Sequence, residues 1–260
     1  MASLGLHLAQ DRRRADGPWR SVLARLDDHG SLVALDPLGE DREIAAAVAE
    51  AGPGLLVVDA PLVAPAEGGR RDVERVLAWC DIPCMPVGRR RLEALTGGVR
   101  GEDLAGPLAA DGSDLWEGSP DQVLRQLMWE AAHPGPGPVP LEEYRRLWAA
   151  LRPPRYRPKI GGRAHAAGLL PAWSLLGGAL DLAGWAPDPS GTPEGVIADA
   201  ARLDALCMAL VAHRGASGPP GATGIGTPER GRMLVATGPE LADRLDRTLA
   251  RMRESGEIRI

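Results

Sequence analysis

Leu55-Leu56-Val57-Val58-Asp59-Ala60-Pro61 is the stretch from which the fold of this chain can be read. Four consecutive aliphatic residues with no polar position between them suit a strand covered on both faces, the situation in a sheet layered by helices. Gly52-Pro53-Gly54 separates this strand from an Ala-rich, helix-like segment at about 40–51. Asp59 stands where the strand runs out, and in an open α/β sheet the carboxyl ends of the strands are where sites assemble. The same residue is also a plain turn former ahead of Pro61.

Working outward, Leu4, Leu6 and Leu8 alternate with Gly5, His7 and Ala9, and further strands are expected at about 19–26 and 31–35, after the turn residues Asp28-His29-Gly30. That is a three-stranded meander ahead of the first helix. Downstream, a short strand at about 113–117 leads to Ser119-Pro120, an N-cap and first helical position, with Gln122 placed to complete a capping box. Val123, Leu124, Leu127, Met128 and Ala131 then share one helical face. Helices follow at about 141–151, 164–186 and 194–214, then a Gly- and Pro-rich loop at 215–227, a strand near 232–236, a helix at about 239–254 and a short closing strand. The expectation is one α/β domain, a mixed sheet flanked by helices, with helical insertions at about 66–110 and 133–195.

Composition narrows the function. The 260 residues carry a net charge of −5, which argues against a protein that coats polyanions indiscriminately. The charge is uneven, however: residues 141–165 hold seven basic residues against two acids. Arg152, Arg155, Arg157, Lys159 and Arg163 are therefore the candidate anion-binding cluster, and Lys159 is the single lysine of the chain. Arg70-Arg71 and Arg89-Arg90-Arg91 are weaker candidates in so arginine-rich a sequence. Three cysteines, an odd number without a second pair to complete a zinc site, point to a reduced, cytoplasmic setting. The first residues show no charged-then-apolar leader pattern, and the longest uncharged stretch, 166–180, is too short to span a bilayer, so no membrane association is expected. The oligomeric state is not legible.

Several chemistries are excluded by motif. Lys159 precedes Gly161-Gly162 instead of following a glycine run, so there is no Walker loop. Gly224-Ile225-Gly226 lacks a third glycine at dinucleotide spacing, and Gly118-Ser119-Pro120 is not a nucleophile elbow. What remains are acids at the ends of buried elements. Asp59 and Glu117 each end a strand. Asp204 has Ala200, Ala201, Cys207, Met208 and Val211 as helical neighbours, so its carboxylate projects from a packed face and requires a cation or hydrogen-bond donor. Asp199, with Arg202 three residues on, reads as a solvated ion pair. Hard carboxylate oxygens suit Mg²⁺ or Mn²⁺, and metal-held acids serve phosphodiester hydrolysis. Paired carboxylates also serve glycoside hydrolysis, but sugar sites stack on aromatic rings, and the chain has seven Trp, two Tyr and no Phe.

The order of elements, with Val57-Val58-Asp59-Ala60-Pro61-Leu62, Gly69-Arg70-Arg71-Asp72, Trp116-Glu117-Gly118-Ser119-Pro120, the run from Asp199 through Asp204 to Ala212, and Gly231-Arg232-Met233-Leu234-Val235, resembles a predicted-nuclease family catalogued as domain of unknown function 429. The resemblance covers nearly the whole chain. It implies a ribonuclease H-like fold, an acidic cluster of Asp59, Glu117 and Asp204, a Mg²⁺ or Mn²⁺ cofactor, and a nucleic acid or nucleotide as substrate. The first strand of that fold normally carries an Asp after a Gly-x step, and Gly5-Leu6-His7 puts a histidine there. His7 is then either a metal ligand that brings no negative charge or a hydrogen-bonded histidine at a strand end. Two functions follow: metal-dependent phosphodiester hydrolysis, or a catalytically weakened fold that binds nucleic acid or a protein partner.

Overall fold

The computed structural model describes residues 2–9, 20–66, 69–84, 87–135, 139–157, 166–218 and 220–260. Its centre is a seven-stranded mixed sheet built from β1 (Ala2–His7), β2 (Ser21–Leu26), β3 (Leu32–Leu38), β4 (Gly54–Val58), β5 (Asp114–Glu117), β6 (Ala222–Thr227) and β7 (Gly231–Ala236). The strand order is β3-β2-β1-β4-β5-β7-β6. β1, β4, β5 and β7 run parallel, while β2 is antiparallel to both β1 and β3, and β6 to β7. This mixed, helix-flanked sheet is consistent with a ribonuclease H-like architecture. The opening meander and the buried strand are where the sequence puts them. β6, which lies within the stretch expected to be loop, adds an edge strand, and residues 255–260 form no closing strand.

Side-chain parity divides the sheet cleanly. Leu4, Leu6, Leu56, Val58 and Leu115 pack on one face with Ile44 and Val48 of α1 (Asp41–Ala51) and Leu104 and Leu108 of α4 (Arg100–Ala109). Leu55 and Val57 point the other way, into a core built with α5 (Pro120–Ala132), α7 (Leu169–Gly177) and α8 (Pro193–Ala216). The 24-residue α8 starts at a Thr192 cap whose hydroxyl accepts from the Gly195 amide, with Pro193 in the first turn. A third cluster lies between α2 (Asp72–Trp79), α6 (Leu141–Ala150) and α9 (Pro239–Glu254), around Trp129, Tyr144 and Trp148. Among the described residues, α3 (Arg89–Thr96) is a further helix.

Gly5 is what lets α8 lie so close. A methyl group at position 5 would sit 2.0 Å from the Ala209 amide nitrogen and 2.2 Å from the Ala205 carbonyl oxygen, so only a residue without Cβ permits this crossing. The helix that carries Asp204 is thereby laid directly across β1.

The helix after β5 starts at Pro120 as expected, but not through a capping box: Ser119 makes no side-chain cap bond. Gln122 instead donates to the Ala236 carbonyl at 2.6 Å and accepts from the Ala236 amide at 3.0 Å, tying α5 to the end of β7. The segment expected to be helical over 164–186 is shorter, a 3-10 turn at Ala166–Gly168 followed by α7, which ends at Gly177. No described helix is long and apolar enough to cross a membrane.

Candidate metal centre

Parity and register bring three of the sequence candidates together. His7 ends β1 and, two residues beyond Gly5, lies on the face that α8 covers. Asp59 follows β4, two residues beyond Val57, on the same face. β1 and β4 are parallel neighbours with Leu6 opposite Val58, and the Asp59 amide donates to the Leu6 carbonyl at 3.1 Å, so the two residues meet at one carboxyl edge of the sheet. Asp204 reaches them from α8. One ligand atom from each of His7, Asp59 and Asp204 lies within 4.8 Å of the others.

The contacts inside this group are specific. His7 Nδ1 is 2.6 Å from Asp59 Oδ2 and 3.6 Å from Asp204 Oδ2. Asp59 Oδ1 accepts from the Leu8 amide at 2.8 Å, which fixes the carboxylate plane. Asp204 Oδ1 accepts from the Tyr156 hydroxyl at 2.5 Å and from Arg157 Nε at 2.7 Å. Asp204 is thus the buried, satisfied carboxylate that its helical neighbours demanded, and its donors come from a loop 47 and 48 residues earlier in the chain.

Electrostatics follow from that packing. Burial alone would lower the His7 pKa, but the Asp59 carboxylate, with Asp204 behind it, outweighs burial and raises it. Burial raises the Asp204 pKa despite the opposing charges of Arg157 and His7. Burial, reinforced by the charge of Asp204, lifts the Tyr156 phenol well above its usual value, which keeps it a donor. For Arg157 burial acts downward and Asp204 upward, and the carboxylate prevails. The site is a network in which His7 and Arg157 engage the carboxylates of Asp59 and Asp204.

Glu117 is not part of it. In the β4–β5 register Glu117 stands beside Val58, on the α1/α4 face, and is fully buried there. Both of its oxygens are taken by Arg71, with Nη1 and Nη2 each at 2.6 Å, and Oε1 also accepts from the Leu62 amide at 2.9 Å. Burial still raises its pKa, the guanidinium opposing. The position beside Asp59 on the α8 face belongs to Gly118, where a Cβ would lie 2.6 Å from Met208 Sδ. The expected grouping of Asp59, Glu117 and Asp204 is therefore corrected to His7, Asp59 and Asp204.

The basic cluster is likewise split. Arg155 is exposed, whereas Arg157 turns inward to Asp204 and also meets Asp121 at 3.2 Å, with about a third of its side chain still exposed. Lys159 and Arg163 lie outside the described residues. Arg71 is buried on Glu117 and Glu74, and Arg89 pairs with Glu102, so neither is a free phosphate contact. Asp199 does pair with Arg202, at 2.7 Å, but it is buried and also accepts from the Asp188 amide. Sequence reasoning missed Tyr156 altogether and took Arg157 for surface.

A scan against protein-family models, a search of curated proteins and a search of solved structures find no match to this chain.

One imidazole nitrogen and two carboxylate oxygens, gathered at the carboxyl edge of the sheet, are a donor set that could hold a divalent ion. Asp204 Oδ2, which faces His7 and not Arg157, and Asp59 Oδ2 are the oxygens turned toward that point.

Proposed function

We propose that this chain is a metal-dependent phosphodiesterase acting on a nucleic acid or nucleotide, with His7, Asp59 and Asp204 holding the ion. The observation that carries this is the convergence of three ligand atoms within 4.8 Å at the carboxyl edge of two adjacent parallel strands. A divalent ion there supplies Lewis-acid charge to a phosphoryl group. The chain's own groups do the rest. The Leu8 amide and the pair Tyr156 and Arg157 lock the two carboxylates in place, so that the ion meets a site already organised. Arg157, partly exposed beside Asp204, offers guanidinium N–H groups to phosphate oxygens at the rim. The resemblance to the domain of unknown function 429 family points to the same chemistry.

The second reading, a non-catalytic binding fold, has an observation of its own. His7 and Arg157 already engage Asp59 and Asp204, and Arg71 pairs with Glu117, so each of these three carboxylates has a partner within the protein.

Titration with Mn²⁺ and Mg²⁺ separates them. An ion that binds only the folded state at 100 times its Kd adds about 2.7 kcal/mol. The expected result is a higher thermal midpoint for the wild type with Mn²⁺ than with Mg²⁺, no rise for Asp59→Asn or Asp204→Asn, and metal-dependent cleavage of a labelled oligonucleotide or of bis(p-nitrophenyl) phosphate. His7→Asp should tighten Mg²⁺ binding, since a hard cation gains from a third carboxylate. A midpoint indifferent to millimolar metal in all four proteins, with no cleavage, would leave the binding-fold reading standing.

A further inference from the structure

A separate cleft of about 290 Å³ opens between the end of α2, the start of α6 and one stripe of α9. Arg244, Arg247, Thr248 and Arg251 recur on α9 at the three- and four-residue spacing that aligns side chains on one helical face. Together with Arg145 they give the cleft four guanidinium groups, and no carboxylate lines it among the described residues. Three of the four are paired with acids that do not line the cleft: Arg244 with Asp81, Arg247 with Asp243, and Arg145 with Glu142 at 3.6 Å. Arg251 has no carboxylate partner among the described residues; its guanidinium lies 4.1 Å from the centroid of the Trp79 ring.

Two further observations point to a ligand. Arg244 is buried, and while its Nη2 donates to the Trp79 carbonyl at 2.9 Å and to Asp81, its Nη1 is buried with no hydrogen-bond partner among the described residues. An orphaned guanidinium N–H asks for an anionic acceptor. Trp79 is 50% exposed, the second most exposed large apolar side chain described, although Arg251 covers one side of its ring. A ring held by a cation on one side and open on the other is a stacking platform.

We infer that this cleft docks one nucleotide unit of a single-stranded nucleic acid, its phosphate on the α9 arginines and its base on the open face of Trp79. The choice of ligand rests on the phosphodiesterase reading; the donors and the ring are independent of it. The α9 stripe thus takes the role that the sequence assigned to residues 152–163.

The test is fluorescence anisotropy of a labelled dT12 strand with the whole chain in EDTA, so that binding is measured without cleavage. Arg247→Gln/Arg251→Gln changes only exposed positions and should weaken binding at least tenfold. It should also make the salt dependence shallower by about 0.7 in slope per lost phosphate contact. Trp79→Leu should weaken binding about 5- to 100-fold and leave the slope unchanged. AMP should compete better than inorganic phosphate. Affinity and slope unchanged in both variants, or a duplex of the same length bound as tightly as the strand with Trp79→Leu equal to wild type, would overturn the inference. Variant-insensitive strand binding beside intact metal-dependent cleavage of bis(p-nitrophenyl) phosphate would sink this inference alone. Variant-sensitive binding with no cleavage under any metal would sink the phosphodiesterase reading alone.

Discussion

Replacing Arg71 by Met tests the buried pair that holds Glu117 on the face opposite the candidate metal centre. Arg71 donates Nε to Glu74 at 2.9 Å, Nη1 to the Val63 carbonyl at 2.9 Å, and both Nη groups to Glu117 at 2.6 Å. The side chains of Arg71 and Glu117 are 5% and 3% exposed, so water cannot replace the guanidinium once it is gone. Breaking one partner of a buried pair typically costs about 3–5 kcal/mol, because the other charge is left uncompensated. For a chain of this size that lowers the thermal midpoint by about 6–20 °C. The sign with pH is fixed by Glu117, whose folded pKa is raised by burial although Arg71 opposes it. A carboxyl with a raised folded pKa contributes stability that is present below its unfolded value and lost as pH rises through the folded one. Without Arg71 the folded value climbs further, so the variant's deficit relative to wild type should be smaller at pH 5 than at pH 8. Arg71→Met/Glu117→Leu, which removes both charges, should recover most of the loss. Because Glu117 lies on the α1/α4 face, the single variant should keep wild-type metal affinity. Circular-dichroism melts at the two pH values and one Mn²⁺ titration measure all of this. A deficit under about 1 kcal/mol at both pH values, with the double variant no better than the single, would refute the buried-pair argument.

Gly5→Ala places a methyl group 2.0 Å from the α8 backbone, which cannot yield like a side chain, so the loss should reach or pass the upper end of the about 1–3 kcal/mol usual for overpacking. In the melts it should be accompanied by weaker Mn²⁺ binding, since α8 carries Asp204; a wild-type midpoint would disprove the close crossing. Burial pushes the Cys84 thiol up to about 12 and raises Cys80 and Cys207 as well. Iodoacetamide at pH 8 should therefore label none of the three in the native protein and all three in guanidinium, as counted by mass spectrometry; rapid native labelling of Cys84 would contradict its environment.

Much of the fold was legible because its signals are local. The continuous apolar run of β4 needs no partner to be recognised, and the Leu4, Leu6, Leu8 alternation announces a strand on its own, although it gives no sign that α8 covers the Gly5 face as well. Thr192-Pro193 and Gly238-Pro239 mark helix starts within two residues of the observed ones. What escaped depends on distant partners. β6, with Gly224 and Gly226 in Ala222–Thr227, has poor strand propensity and exists through its pairing with β7, and Gly224 is required because Trp116 packs where its side chain would be. Gln122 looked like a capping residue until Ala236 supplied a better pair of backbone groups.

The site was legible in its elements but not in its faces. Asp59, Glu117 and Asp204 were each recognised by the same criterion, an acid where a buried element ends or packs, and that criterion is blind to which side of the sheet a residue takes. Strand parity supplies the missing step. Counting by two from Gly5, whose missing Cβ marks the α8 side, gives His7; from Val57 it gives Asp59; from Trp116, beside Val57, it gives Gly118 and skips Glu117. The alternation was in the sequence, but the α8 side could be chosen only once the glycine at position 5 was known to lie beneath a helix backbone. Tyr156 and Arg157 carried no such signal, since a proline-flanked basic run reads the same whether its side chains face solvent or a buried aspartate. His7, where the sequence departs from the expected acid, is thus a member of the cluster that the geometry builds, and Glu117, one of the three acids expected there, is the one the fold assigns to Arg71.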